Sequence, residues 1–503
     1  MMPERALAFT ILPAVRRVNI WGRLGLLAGV TSLKAVFLAP YLRLPLSWDE
    51  SVWAYIGWRV TQGGFLPYRD ILDNKPLFAY LPFVLSELVL GHGWTVLRVA
   101  SIVWGVSSTA LLVAAMYSCF GFAPALVVGC VEAVFGASPA LEGNYLLMSE
   151  QTVKPILIAF LLLYARLKRT GTLRPSPGGR IGWGIPFFFG LTVALASLTK
   201  QSYIMLLPLA PAQIWRTDKE GRMLQRLGMH FLGFLLPWSL LAGMYFAGGA
   251  LWDLAYGLVG YNLDYIIGPP TVQYLIERSR AILSSSLPHW IVLLSALALG
   301  LWGVLVSQTR HLAGAIWALV LVGVVSLLAG GDRLLGHYYL FATFPIYLLL
   351  GPGLAALPVA MRRVASVSVL LMLLAAAPRE LALAKSAARD AEPFPDASLV
   401  SFLNEHSSTG DGFFFDGSAF RYYYEFRVLA PSRYFSTDAL LRPEFVDEKR
   451  NVMETLLALG TTWIVADSDF LGGDEEFLEF LETHYTPRAA WTRGEIYSLR
   501  LAP

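Results

Sequence analysis

Charge is what this sequence has least of. Its 503 residues carry 39 Lys+Arg and 36 Asp+Glu, or 15% charged, where a soluble globular protein carries about a quarter. With 56% hydrophobic residues and a mean hydropathy of +0.55, that shortage excludes a soluble enzyme and a disordered chain. A formal net charge of +3 supplies no basic field for nucleic acid. Cysteine is nearly absent as well. Cys119 and Cys130 are the only two, and both sit in apolar runs. No disulfide framework is available, and the redox compartment cannot be read from cysteine usage. No internal repeat is visible.

The few charges are unevenly placed. Residues 386–503 hold 20 acidic and 10 basic residues, while the preceding 385 hold 16 and 29. The expected architecture is an α-helical polytopic membrane domain over 1–385, followed by a small, acidic, water-soluble α/β domain over 386–503. In that tail, strand-like runs (Phe413–Phe415, Trp463–Ala466, Ile496–Leu499) alternate with helical ones (Leu399–His406, Glu475–His484).

A membrane span needs about 20 mostly apolar residues. Eleven runs qualify approximately: 20–40, 94–117, 121–140, 150–166, 182–199, 201–215, 227–247, 288–308, 312–330, 335–357 and 364–380. The first carries Lys34 and no small-residue cleavage site before Arg43, so it reads as a span rather than a signal peptide. Short-loop Lys/Arg set the orientation. Arg5, Arg16, Arg17, the 166–180 group, the 216–226 group, Arg310, Arg362 and Arg363 all share one side if the N-terminus is cytoplasmic. The C-terminal domain and two long loops, 42–93 and 248–287, then lie outside, in the periplasm or its equivalent. Both loops contain aromatic amphipathic stretches suited to the interface.

Under this topology the unusual polar residues gather at the outer ends of spans. Asp49, Glu50, Asp70, Asp73 and Lys75 belong to the first loop. Glu142 and Glu150 flank one outer turn, Lys200 and Gln201 another, and Arg333, His337 and Tyr338 open the tenth run. Ionisable groups at membrane depth are costly and mark function by default. Each also has a plainer reading. Ser47-Trp48-Asp49-Glu50 fits a capping box. Lys75 and Lys200 fit snorkelling interfacial lysines. His337-Tyr338-Tyr339 fits an aromatic belt. A transporter would place its charges at the midplane of a repeat interface, which this sequence does not do.

The chemistry that needs a carboxylate beside cations on an outer leaflet is group transfer from a donor delivered through the membrane. A polyprenyl-phosphate sugar meets that need. Its phosphate leaves once cations neutralise it, and one carboxylate suffices to deprotonate an acceptor hydroxyl. Glycoside hydrolysis usually needs two opposed carboxyl groups instead.

Trp48-Asp49-Glu50, Tyr55, Gly63-Gly64, Pro67-Tyr68-Arg69-Asp70 and Lys75-Pro76 resemble the GT-C type integral-membrane glycosyltransferases. The nearest group is the bacterial branch of aminoarabinose and galacturonic acid transferases and protein mannosyltransferase relatives. The resemblance continues through Glu142-Gly143-Asn144, Ser149-Glu150, Leu198-Thr199-Lys200-Gln201, Gly331-Asp332-Arg333, Gly336-His337-Tyr338-Tyr339 and Pro345. It implies an inverting transferase on the outer face, using a polyprenyl-phosphate sugar. The acceptor would be an envelope glycolipid, polysaccharide or protein. It implies Asp49, with Glu50 beside it, as catalytic. Lys75, Lys200, Arg333 and His337 would lie at the donor phosphate. Tyr55, Tyr68, Asp70, Glu142, Glu150 and Tyr338 would line the acceptor site or cavity. Two departures stand out. Lys75-Pro76-Leu77 replaces the Lys-Pro-Pro of many members, and Pro155 stands five residues after Glu150 rather than next to it. A lipid-linked oligosaccharide ligase or polymerase is the alternative. No cofactor is implied, and a divalent cation at Asp49 and Glu50 stays open.

Overall fold

Apolar segments in lipid must satisfy their backbone polar groups internally, which helices do. Among the described residues, seven helices are long and apolar enough to cross a membrane: Ile20–Arg43, Trp94–Phe120, Met223–Ala247, Leu287–Leu305, Arg310–Leu328, Tyr339–Ala356 and Val359–Asp390. The other four expected runs form shorter helices, Phe122–Phe135, Lys154–Thr170, Gly184–Ser197 and Leu209–Thr217. Among the described residues, seven of the eleven expected runs therefore meet the length and apolarity of a span, and four do not. This computed structural model describes residues 20–141, 149–170, 184–217, 222–265, 273, 276–277, 280, 287–306, 309–328, 338–391, 394, 396–406, 412–433, 446–467, 475–491 and 493–500.

The chain divides into two compact units. The first comprises Met1–Leu42, Ser101–Trp238 and Ile266–Ala388, and the second Arg43–Ala100, Ser239–Tyr265 and Arg389–Pro503. The sequence division at 385 is thus not the division by compactness, because two loop regions join the C-terminal residues.

In the first unit, small residues let helices meet backbone to backbone. A Cβ on Gly190 would collide with the His230 carbonyl, and one on Gly233 with the Phe187 carbonyl. The helices Gly184–Ser197 and Met223–Ala247 are held that close by glycine, as expected where packing rather than water drives association. The Tyr339–Ala356 helix packs against both Leu287–Leu305 and Arg310–Leu328 and is buried along most of its length.

In the second unit, a four-stranded sheet carries β1 (Phe413–Phe415), β2 (Trp463–Asp467), β3 (Tyr485–Trp491) and β4 (Gly494–Leu499) in the order β1-β2-β4-β3. β1 and β2 are parallel, and the other two pairings are antiparallel. Three strands and both helices expected from the tail are present. β3 was not expected. Pro487 lies within it, beside a register shift between Pro487 and Ala489, and proline in a sheet is confined to edges and bulges. The core of this domain takes in Leu72 and Tyr261 beside Phe414, Ile464, Leu456, Phe477 and Leu481. Two side chains from the 43–100 and 239–265 regions thus help complete this core, which is why those regions belong to this unit.

Candidate active site

The Trp48–Thr61 helix starts at a complete capping box. The Glu50 amide donates to Ser47 Oγ at 3.2 Å, and the Ser47 amide donates to Glu50 Oε2 at 3.0 Å. Arg98 then locks this turn from another helix. Its Nη1 and Nη2 donate to the two Glu50 oxygens at 3.0 and 2.8 Å, and its Nε donates to the Leu44 carbonyl at 2.7 Å. Nη2 also donates to the Pro45 carbonyl. Both members are buried, at 1% and 0% exposure. A planar guanidinium fits a carboxylate in this forked way, and a lysine does not.

This arrangement separates the two neighbouring carboxylates. Every Glu50 oxygen is taken up by Arg98 and the cap, so Glu50 has a structural role at the helix start and is not free to bind a cation with Asp49. The adjacent Asp49 is half-buried and makes no hydrogen bond or ion pair with the described residues. It sits in the first turn, where the helix dipole favours a negative charge. Trp53, one turn on, shares its face.

That face meets the rest of the first loop. Asp73 Oδ2 accepts from Trp53 Nε1 at 3.0 Å and from the Tyr80 hydroxyl at 2.8 Å, while Oδ1 accepts from the Asn74 amide at 2.7 Å. Burial raises the Asp73 carboxyl. Lys75 and the Tyr80 hydrogen bond pull it back, and Asp49 adds to the rise. The Lys75 ammonium donates to Asn74 Oδ1 at 2.7 Å and lies 5.7 Å from the Trp53 ring centroid. The structure therefore brings Asp49, Trp53, Asp73 and Lys75 into one neighbourhood. Asp73 is the member that the candidate set omitted.

Tyr68 and Asp70 shape this loop from within. Tyr68 adopts φ +68°, a conformation uncommon outside glycine. It is held there by its amide on the Ile71 carbonyl (2.6 Å) and its hydroxyl on the Lys75 carbonyl (2.6 Å). The Tyr68 ring is fully buried and fixes the backbone of Lys75. Asp70 accepts from the Leu66 amide and, at both oxygens, from Arg69. Burial alone would raise its carboxyl, but the Arg69 bond overrides that and holds it below its ordinary value.

Residues from the C-terminal region cover the outer face of the Trp48–Thr61 helix. The Ala430 amide donates to the Tyr55 hydroxyl at 2.9 Å, and the Tyr55 ring meets Phe420 and Tyr423. Trp48 also lies against Phe420. Tyr55 thus attaches the helix to the C-terminal region.

The remaining candidates belong to the first unit. The Lys200 ammonium lies over the Tyr338 and Phe341 rings, 5.1 and 5.0 Å from their centroids. Glu150 is buried in the short Ser149–Thr152 helix, where its Oε1 accepts from Ser149 Oγ at 3.1 Å. Arg333, His337 and Glu142 lie outside the described residues.

The same unit contains a charged group that sequence reasoning missed. Glu132 Oε1 accepts from Lys34 Nζ at 3.2 Å and from Lys154 Nζ at 2.8 Å, while Oε2 accepts from Thr109 at 2.6 Å. All three ionisable side chains are buried. The signal was present: Glu132 interrupts an apolar run, and Lys34 lies in another. Among the described residues, no three His, Cys, Asp or Glu side chains gather as a metal site.

No protein-family model matches the chain, and no curated protein does. Solved structures do. ArnT from Cupriavidus metallidurans, in the apo state, matches with TM-score 0.61 at 14% identity, over 95% of this chain and 98% of that one. The same protein bound to undecaprenyl phosphate matches with TM-score 0.61 at 13% identity over the same shares. An Archaeoglobus fulgidus oligosaccharyltransferase in complex with Zn and sulfate matches with TM-score 0.52 at 11% identity, over 94% of this chain and 73% of that one. At these identities the likeness is one of fold, and the fold is that of the GT-C type membrane glycosyltransferases.

Proposed function

We propose that this protein is an inverting glycosyltransferase that moves a sugar from a polyprenyl phosphate to an acceptor hydroxyl. The observation that carries the reading is the contrast at the start of the Trp48–Thr61 helix. Glu50 is spent on Arg98 and the cap, while Asp49 beside it is left without a hydrogen bond or ion pair among the described residues. A half-buried carboxylate on a rigid turn is what a general base requires. The shared fold supports this reading, as does the undecaprenyl phosphate bound by the ArnT structure it resembles.

Asp49 takes the proton of the acceptor hydroxyl as that oxygen attacks the anomeric carbon. The C–O bond to the phosphate breaks on the opposite face, and the phosphate leaves with the bonding pair. Lys75 and Lys200 are proposed as phosphate ligands, each on its own surroundings: Lys75 on a backbone fixed by Tyr68, and Lys200 on an aromatic platform. Cations so placed stabilise the leaving charge without reorganising. Arg333 and His337 are proposed to assist them. Tyr55, Tyr68, Asp70, Glu142, Glu150 and Tyr338 are proposed to shape the cavity around acceptor and sugar.

The loop Lys/Arg asymmetry supports a site on the outer face of a bacterial cytoplasmic membrane, with an envelope glycolipid, polysaccharide or protein as acceptor. The test of the chemistry is Asp49→Asn in correctly inserted protein. Transfer from polyprenyl-phosphate sugar should fall by about 10²-fold or more, the typical share of general-base catalysis. Near-normal turnover ends the assignment. A reporter fused after Pro503 should be active only on the exported side, and cytoplasmic activity there overturns the sidedness. The oligosaccharyltransferase likeness supports a second reading, a ligase using a pyrophosphate-linked chain. Turnover with pyrophosphate-linked but not phosphate-linked donor selects it.

A further inference from the structure

Lys75, proposed above as a phosphate ligand, is braced by a segment to which no role has been given. Within the second unit, residues 251–265 run as a short helix (Leu251–Ala255), a single π-helical turn (Tyr256–Gly260) and a second short helix (Tyr261–Tyr265). The Tyr261 amide closes the wide turn on the Tyr256 carbonyl, five residues back. Such turns are rare in helices and frequent at functional sites. Two residues in or just beyond this one reach the first loop.

Gly257 makes the first contact. A Cβ there would collide with the Tyr68 ring, so only glycine lets the helix backbone lie against that ring. The ring belongs to a residue at φ +68°, a conformation that persists only when its surroundings fix it. The Tyr68 hydroxyl in turn donates to the Lys75 carbonyl at 2.6 Å, where the Tyr80 hydroxyl also donates at 3.0 Å. Asn262 makes the second contact. Its Nδ2 donates to the Asn74 carbonyl at 3.0 Å, and to the Gly257 and Leu258 carbonyls of the wide turn at 3.2 Å each. Asn74 is thus fixed at its carbonyl by Asn262 and at its amide by Asp73 Oδ1, at 2.7 Å. Its own side chain then receives the Lys75 ammonium, 2.7 Å from Oδ1.

Lysine carries its charge on a flexible four-carbon stem with much rotamer entropy to lose. A cation that stabilises a leaving phosphate must stand in place before the charge develops, so that freedom has to be removed in advance. An amide oxygen accepts from the ammonium and, being uncharged, does not cancel its charge. We propose that Asn74 and Asn262 are positioning residues for Lys75: Asn74 aims the ammonium, and Asn262 holds Asn74 from the 251–265 segment, while Gly257 supports the Tyr68 ring behind the Lys75 carbonyl. This inference rests on the contact proposed above between Lys75 and the donor phosphate. It gives the second external region a part in the reaction through a residue of the first.

The test is a set of coupled substitutions. Full-length protein in lipid nanodiscs is titrated with undecaprenyl phosphate. Lys75→Ala should weaken binding by roughly 10-fold or more, the worth of a hydrogen bond to a charged group. Asn74→Ala and Asn262→Ala should each weaken it by roughly 3- to 10-fold. In a Lys75→Ala background each should change it by less than about twofold, because residues that act through one contact are not additive. Additive effects would mean that the asparagines hold the loop or meet the lipid on their own account, and would overturn the inference. Wild-type binding in Asn262→Ala would overturn it too. Asn74→Asp gives a second, independent reading. It keeps the shape of the side chain but sets a carboxylate on the ammonium, which then competes with the phosphate. It should weaken binding more than Asn74→Ala does. A purely structural role predicts the reverse order, and that order also overturns the inference. If Lys75→Ala binds as the wild type does, the phosphate contact itself fails and takes the inference with it.

Discussion

The first loop and the apolar helices of the first unit treat buried charge in opposite ways. Around Glu132 every charge is matched inside the protein: two ammonium groups share one carboxylate, and Thr109 takes its other oxygen. Around Asp49 the matching stops one residue short. Glu50 is saturated by Arg98 and the cap, and its neighbour is left over. Matched charge deep among apolar helices holds elements together, because breaking it leaves an uncompensated ion where no water reaches. Leftover charge on a rigid turn is available for chemistry. The difference between the two regions is thus the difference between a staple and the carboxylate proposed as the base.

Removing one partner from a matched cluster should produce the largest change. Glu132→Gln leaves Lys34 and Lys154 buried without a carboxylate and should cost about 3–5 kcal/mol, read as a large drop in melting temperature of the purified protein. Arg98→Met should cost a similar amount by stranding Glu50. If either variant is as stable as the wild type, the cluster is no staple. Asp49→Asn should do the reverse, leaving the melting temperature unchanged while transfer collapses. A loss of stability there would place Asp49 on the matched side of the comparison.

A smaller effect is expected at Tyr55. Tyr55→Phe removes the acceptor of the Ala430 amide and should cost about 1 kcal/mol, with faster proteolysis of the C-terminal region as a second readout. The smallest effects concern pH. Asp70 is held below its ordinary value, mainly by Arg69 against the opposing effect of burial. Its stabilising contribution is present above the ordinary carboxyl value of about 3.9 and is lost as pH falls through the lower folded value. Asp70→Asn should therefore destabilise at neutral pH and become neutral in strong acid. Asp73, raised by burial, has the opposite sign: its favourable term is present in acid and lost as pH rises through the folded value. Asp73→Asn should look progressively better, relative to the wild type, as pH rises. A pH-independent difference for either variant contradicts the corresponding environment.

What the sequence determined by itself was local. Runs of apolar residues specify helices because the backbone must bond to itself in lipid, and the Ser47–Glu50 spacing specifies a helix start because cap and N3 are three residues apart. Alternation and flanking polarity were enough for three strands and two helices of the tail. They were not enough for β3, where Pro487 masks the pattern and only its place in the sheet rescues it. Pairings far apart in sequence were decided by tertiary structure alone. Arg98 is 48 residues from Glu50, and Lys34 is 98 from Glu132. Nothing in either neighbourhood names the partner. Likewise Leu72 and Tyr261 read as loop residues until they are found in the core of the C-terminal domain. The sequence placed Asp49 and Glu50 side by side as equals, and the guanidinium that spends one of them arrives from another helix. Periodicity and capping act over one or two turns of chain, whereas an ion pair depends on which elements pack together, and that depends on the whole fold.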